Sequence, residues 1–140
     1  MKAAPALYWD SSAVLAFLLA EPHQPEAERC LRRPAVRHLV SSLGWAEVHA
    51  TLARVGREQR GAEIAETLAA LAHSPWGHTD AVPHWELIAL LAQRWPLRGA
   101  DLWHLALAKS LSQQLPGLMM LTFDVALAAA AAGEGLSATT

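Results

Sequence analysis

The chain has 140 residues, a formal net charge of −2 and one cysteine, Cys30. This length accommodates one domain with a real core, and we read residues 1–140 as that single domain. A lone cysteine excludes an internal disulfide and a cysteine-built zinc site. The charge lacks the basic excess usual in nucleic-acid binders, although a local patch, or metal ions at a phosphate, can do the same work.

Apolar residues make up 53% of the chain. That is more apolar surface than one small core needs, so a homo-oligomer is expected. The opening residues reach Asp10 before any long apolar run forms, and Val14–Ala20 is too short to cross a bilayer. The expectation is a cytoplasmic protein without membrane contact.

In chain order, Ala6–Trp9 reads as a first strand that stops at Asp10-Ser11-Ser12, and Ala13–Ala20 as a helix. Pro22 and Pro25 mark a turn before a short charged helix ending near Pro34. Val36–Val40 reads as a second strand, followed by a helix from Leu43 to Val55 that Gly56 breaks. Gln59–Ala72 is helical again. A short third strand is expected near Thr79–Val82, then helices over His84–Arg94 and Leu102–Gln114, each stopped by a proline. Leu118–Phe123 is a continuous apolar run, the pattern of a strand buried on both faces in a parallel sheet. Val125–Ala132 is a last helix before Gly133, and Leu136–Thr139 a weak edge strand. Strands alternating with longer helical patterns define an α/β fold.

The chain has four aspartates: Asp10, Asp80, Asp101 and Asp124. Asp10 and Asp124 each follow a strand directly. If those strands are neighbours, about 4.8 Å apart, their carboxylates meet at the end of the sheet where α/β proteins place their chemistry. Asp101 opens a helix. Glu47 lies within one, among the small or apolar same-face neighbours Leu43, Gly44, Ala50 and Thr51.

Helix capping is the competing reading for the three aspartates, and solvent exposure for Glu47. Against it stands electrostatics: two carboxylates about 5 Å apart repel by about 3 kcal/mol at an effective dielectric near 20. A gathered set calls for a cation, and oxygen-only ligation suits Mg²⁺ or Mn²⁺.

Four blocks of the sequence resemble PIN domains in their order and spacing. "YWDSSAVLAFL" resembles the opening strand ending in Asp-Ser/Thr-Ser. "SSLGWAEVHATLAR" resembles the helix that carries Glu. "PLRGADLWHLALA" resembles the third block, and "MMLTFDVALAAAAAGEGL" the strand ending Thr-x-Asp. Together they span residues 7 to 136.

The resemblance implies a three-layer α/β/α fold with a central parallel sheet of order 3-2-1-4-5. It also implies a compact Mg²⁺- or Mn²⁺-dependent endoribonuclease of the VapC toxin type, leaving a 5′-phosphate and a 3′-hydroxyl. Asp10, Glu47, Asp101 and Asp124 match the family's acidic quartet, and Ser11 and Thr122 match hydroxyls that support the metal site. The implied partners are an RNA substrate, a cognate antitoxin protein and a second copy of the chain. Some relatives carry a further acid near Asp101 or Asp124, which this chain lacks, so a second ion is expected to bind weakly or only with RNA.

Arg98 and His104, flanking Asp101, are candidate substrate contacts. For His104 a half-buried structural role competes, and for Arg98, as for the cluster Arg29, Arg32, Arg33 and Arg37, a solvated face. Trp9, Trp45 and Trp103 sit in apolar runs and read as core. No HExxH, G-x-S-x-G, P-loop or G-x-G-x-x-G occurs.

Three other functions compete. A receiver-like phospho-acceptor signalling domain would need an acidic pair after strand one and a Lys after strand five, where Asp10 is followed by Ser11-Ser12 and the nearest candidate, Lys109, falls inside a helix. A PIN-fold RNA-processing nuclease without a toxin role is the second. An inactive PIN fold used for binding is the third, and the intact quartet argues against it.

Overall fold

The computed structural model describes residues 4–58 and 61–138. Strand β1 (Ala6–Trp9) leads into α1 (Ser11–Leu18), and α2 (Gln24–Leu31) starts with Pro25 in its first turn, where a missing N–H costs nothing. Strand β2 (Arg37–Ser41) runs into the long helix α3 (Ser42–Glu58), followed by α4 (Gly61–Leu71) and β3 (Gly77–Thr79). Helices α5 (Trp85–Arg94) and α6 (Gly99–Ser112) precede β4 (Met119–Leu121) and α7 (Val125–Gly133). None of the described helices is long and apolar enough to cross a membrane.

All described strand pairs are parallel, in the order β3-β2-β1-β4. The expected order therefore holds for four strands. The fifth is reduced to one parallel bridge, Ser137 to Met120, with the Met120 N–H donating to Leu136 O at 2.6 Å. The predicted end of that strand at Thr139, and the predicted helix start at Gln59, lie outside the described residues.

Strand β1 is central and buried on both faces, so its side chains feed two cores alternately. Ala6 and Tyr8 pack with Leu91, Leu105, Met120 and Leu127 on the α5–α6–α7 side. Leu7 and Trp9 pack with Val14, Val40, Val48 and Leu52 on the α1–α3–α4 side. Each large side chain buried this fully contributes about 1.5–3 kcal/mol. Trp9 is completely buried, as predicted for the core, while Trp45 and Trp103 keep part of their surface in water.

Packing overrides two local signals. Gly56 does not end α3, which runs on to Glu58. Ile64 of α4 lies over Gly56, where an added Cβ would meet its Cγ2 at 3.1 Å, so that glycine marks a close helix approach. Asp101 does not open α6 either. The helix starts two residues earlier at Gly99, with Arg98 as N-cap, leaving Asp101 in the first turn.

The far end of α7 is clamped. Trp95 donates its indole N–H to Glu134 at 2.9 Å, Arg94 bonds both oxygens of that carboxylate at 3.1 Å, and Lys109 lies 3.4 Å away. Burial would raise the Glu134 pKa, but these donors outweigh it and hold the group below the ordinary range. The Trp95 ring lies so close to Gly133 that a Cβ there would sit 2.2 Å from its Cη2. Alanine ordinarily improves a helix position by up to about 1 kcal/mol over glycine. Here Gly133→Ala is expected to destabilise by about 1–3 kcal/mol, because the ring cannot retreat without losing Glu134. A lowered urea midpoint at unchanged m-value would show it; an unchanged or raised midpoint would contradict it.

Candidate active site

The chain runs from β1 to β2 to β3 on one side, then returns to place β4 on the other side of β1. The switch point of the sheet thus lies between β1 and β4, where open α/β sheets bind ligands beyond the carboxyl ends of their strands. Trp9 pairs with Leu121, and the Asp10 N–H still donates to Leu121 O at 3.2 Å. This register sets Asp10 beside Thr122.

Asp10 is 3% exposed. Its Oδ1 accepts from the Ala13 N–H at 3.0 Å and from the Ser12 hydroxyl at 2.7 Å, and its Oδ2 accepts from the Thr122 hydroxyl at 2.5 Å. Burial raises its pKa, and these three donors and the nearby His104 oppose the rise. Asp124 caps α7 through the Leu127 N–H at 2.9 Å. Capping and site membership are therefore compatible for both residues: in each, one carboxylate oxygen satisfies the helix start.

Asp101 faces the same region from α6. Burial raises its pKa, Asp124 and Glu47 raise it further, and His104 and Arg98 pull it down. Pro96, Leu97, Arg98, Asp101, Asp124 and Ala126 line one cleft of about 340 Å³. Glu47 reaches in from α3, its Oε1 2.6 Å from His104 Nε2. Asp101, Asp124 and Arg98 thus share one cleft, Glu47 lies close enough to act on the charge of Asp101, and Asp10 follows the adjoining end of β1.

A family model described as the PIN domain matches residues 7–133.

The chain belongs to the PIN domain family.

Solved structures share its fold at low identity. VapBC2 from Rickettsia felis, crystallised with a DNA fragment from its promoter, aligns with a TM-score of 0.59 at 10% identity, covering 85% of this chain and 99% of that one. VapC20 of Mycobacterium tuberculosis, described as a sarcin-ricin loop cleaving toxin, gives 0.57 at 14% identity over 89% and 94% of the two chains. VapBC-1 from nontypeable Haemophilus influenzae gives 0.54 at 20% identity over 86% and 87%. No curated protein matches significantly.

Three details of this PIN domain bear on the expected site residues. The hydroxyl beside Asp10 belongs to Ser12, not Ser11; among the described residues the Ser11 side chain makes no hydrogen bond. Ser12 sits at the second helical position, with its hydroxyl on the capping carboxylate of Asp10. Ser12 also accepts from the Phe123 N–H at 3.0 Å and, with Thr122, knits the ends of β1 and β4 together. His104 is 1% exposed and hydrogen-bonded at both ring nitrogens, so it offers no face to a substrate. In the arginine cluster, Arg37 opens β2 at the end opposite Ser41, Arg32 pairs with Glu28, and Arg33 bonds Ala138 O.

The donor set at the acids is carboxylate and hydroxyl oxygen, which fits a hard divalent ion. Among the described residues no three His, Cys, Asp or Glu side chains stand close enough to grip one as they are placed.

Proposed function

We propose that this PIN domain is a Mg²⁺- or Mn²⁺-dependent endoribonuclease and the toxin of a toxin–antitoxin pair. The observation that supports the reading is one cleft shared by Asp101 and Asp124, with Glu47 close enough to act on the charge of Asp101 and Asp10 at the adjoining carboxyl end of β1. These four would hold the ion, with Thr122 and Ser12 fixing the direction of the Asp10 carboxylate. When bound, such an ion supplies Lewis-acid stabilisation at the scissile phosphate and a nucleophilic water. Arg98, exposed on the rim of the cleft, is placed to hold a backbone phosphate.

The toxin role draws support from the neighbours in fold, two of which are VapBC assemblies and one a sarcin-ricin loop cleaving toxin. A cognate antitoxin and a second copy of the chain are the proposed protein partners. Trp85 is 85% exposed and Val82 66%, an apolar patch at the start of α5 that suits the contact between copies. The proposed setting is the cytoplasm, where the substrate RNA is found.

The purified protein is expected to cut a labelled transcript with Mn²⁺ or Mg²⁺ present, to stop on chelation, and to leave 5′-phosphate ends. Cleavage that persists in excess chelator, or intact RNA under all metal conditions, would remove the proposal.

A further inference from the structure

We infer that His104 is a positioning residue for Glu47, itself oriented by a buried relay through Tyr8 and Ser41. The inference rests on Glu47 belonging to the metal site proposed above.

Glu47 is the one member of the quartet that sits mid-helix, on a long side chain, without a cap to orient it. His104 supplies the constraint, with Nε2 2.6 Å from Glu47 Oε1. A carboxylate only accepts, so Nε2 carries the hydrogen. The other nitrogen, Nδ1, lies 2.5 Å from the Tyr8 hydroxyl, which lies 2.8 Å from Ser41 Oγ. Ser41 Oγ in turn accepts from the Gly44 N–H at 3.1 Å. In the Nε2–H tautomer Nδ1 is an acceptor, and the remaining hydrogens then take one direction: Gly44 N–H to Ser41, Ser41 O–H to Tyr8, Tyr8 O–H to His104 Nδ1.

Tyr8, Ser41 and His104 are all buried. The relay begins on β1, the end of β2 and the first turn of α3, the most constrained elements of the sheet. The imidazole also packs against two rings, Tyr8 at 5.8 Å and Trp103 edge-on at 5.7 Å between centroids. With both nitrogens hydrogen-bonded, the buried ring has no hydrogen-bonding reason to turn. One Glu47 oxygen is taken, and among the described residues no hydrogen bond occupies the other. A histidine donating to a metal-ligating carboxylate, and held on its far side by a second hydrogen bond, is how outer-shell partners orient ligands, and losing one costs about 10–100-fold in metal affinity.

Calorimetric titration with MnCl₂, without RNA, tests this on variants whose folding is checked by circular dichroism. Tyr8→Phe keeps the ring and removes only the hydroxyl. His104→Gln carries an amide nitrogen to the Nε2 position, whereas His104→Asn reaches only the Nδ1 position. Tyr8→Phe and His104→Asn are each expected to raise the Kd for Mn²⁺ by about 10-fold or more, with His104→Gln retaining most of the affinity. In a Glu47→Ala background, Tyr8→Phe should cost nothing further, because its effect passes through Glu47. Folded variants that bind Mn²⁺ like the wild type overturn the inference alone, as does an equal loss in the Glu47→Ala background. A wild-type protein that binds no Mn²⁺ overturns both the inference and the metal-dependent reading. Should His104→Asn fail to fold, Tyr8→Phe decides.

Discussion

Replacing Asp10 by Asn is expected to lower RNA cleavage by at least about 10²–10³-fold, the cost of removing one charge-stabilising group from a preorganised site, while the fold persists. Asn keeps the shape of the side chain. Its oxygen can still cap α1 through the Ala13 N–H and accept from Ser12, and its amide can meet the Thr122 hydroxyl, which also accepts hydrogen bonds. What it loses is the negative charge, in a site whose proposed business is to hold a cation. Single-turnover cleavage of a labelled transcript measures the effect, and near-UV circular dichroism confirms packing. Undiminished cleavage by a folded Asp10→Asn protein would take Asp10 out of the active site.

Mn²⁺ at about 100 times its Kd should stabilise the protein by about 2.7 kcal/mol, or roughly 8 °C in Tm for a domain of this size. Asp101→Asn should abolish most of that shift and, without metal, melt slightly above the wild type. The reason is electrostatic. Burial, then the charges of Asp124 and Glu47, raise the Asp101 pKa, so the folded state prefers this group protonated. Stability from a carboxylate raised on folding is greatest at low pH and is lost as pH climbs from its unfolded pKa through the folded one. Metal binding has the opposite sign, because the ligand must be ionised. The Mn²⁺-induced shift should therefore grow with pH across the range where Asp101 ionises. Differential scanning fluorimetry at several pH values, with and without MnCl₂, reads both effects. An Asp101→Asn protein that melts lower without metal and still responds fully to Mn²⁺ would contradict the assignment.

Residue order and side-chain chemistry alone determined the parallel α/β architecture. Mostly apolar runs such as Ala6–Trp9 and Leu118–Phe123 have little polar surface to show to water, so they belong inside a sheet covered on both sides. The same logic brought out Asp10 and Asp124, since a carboxylate directly after such a run falls at the strand's carboxyl end. Their capping roles were also legible, because capping is a local interaction with amides three residues on.

Only the tertiary structure decided the rest. Whether β1 and β4 were neighbours depended on a crossover spanning more than a hundred residues, which no local pattern encodes. Choosing Ser12 over Ser11 took the geometry of a single helical turn. Gly56 read as a breaker because propensity is local, whereas the packing of Ile64 against it is not. His104, Tyr8 and Ser41 are separated by as many as 96 positions and meet only when three elements pack together. The one signal of their meeting was Tyr8, the chain's single tyrosine, in an otherwise apolar strand: a buried hydroxyl needs a partner, and sequence alone does not name one.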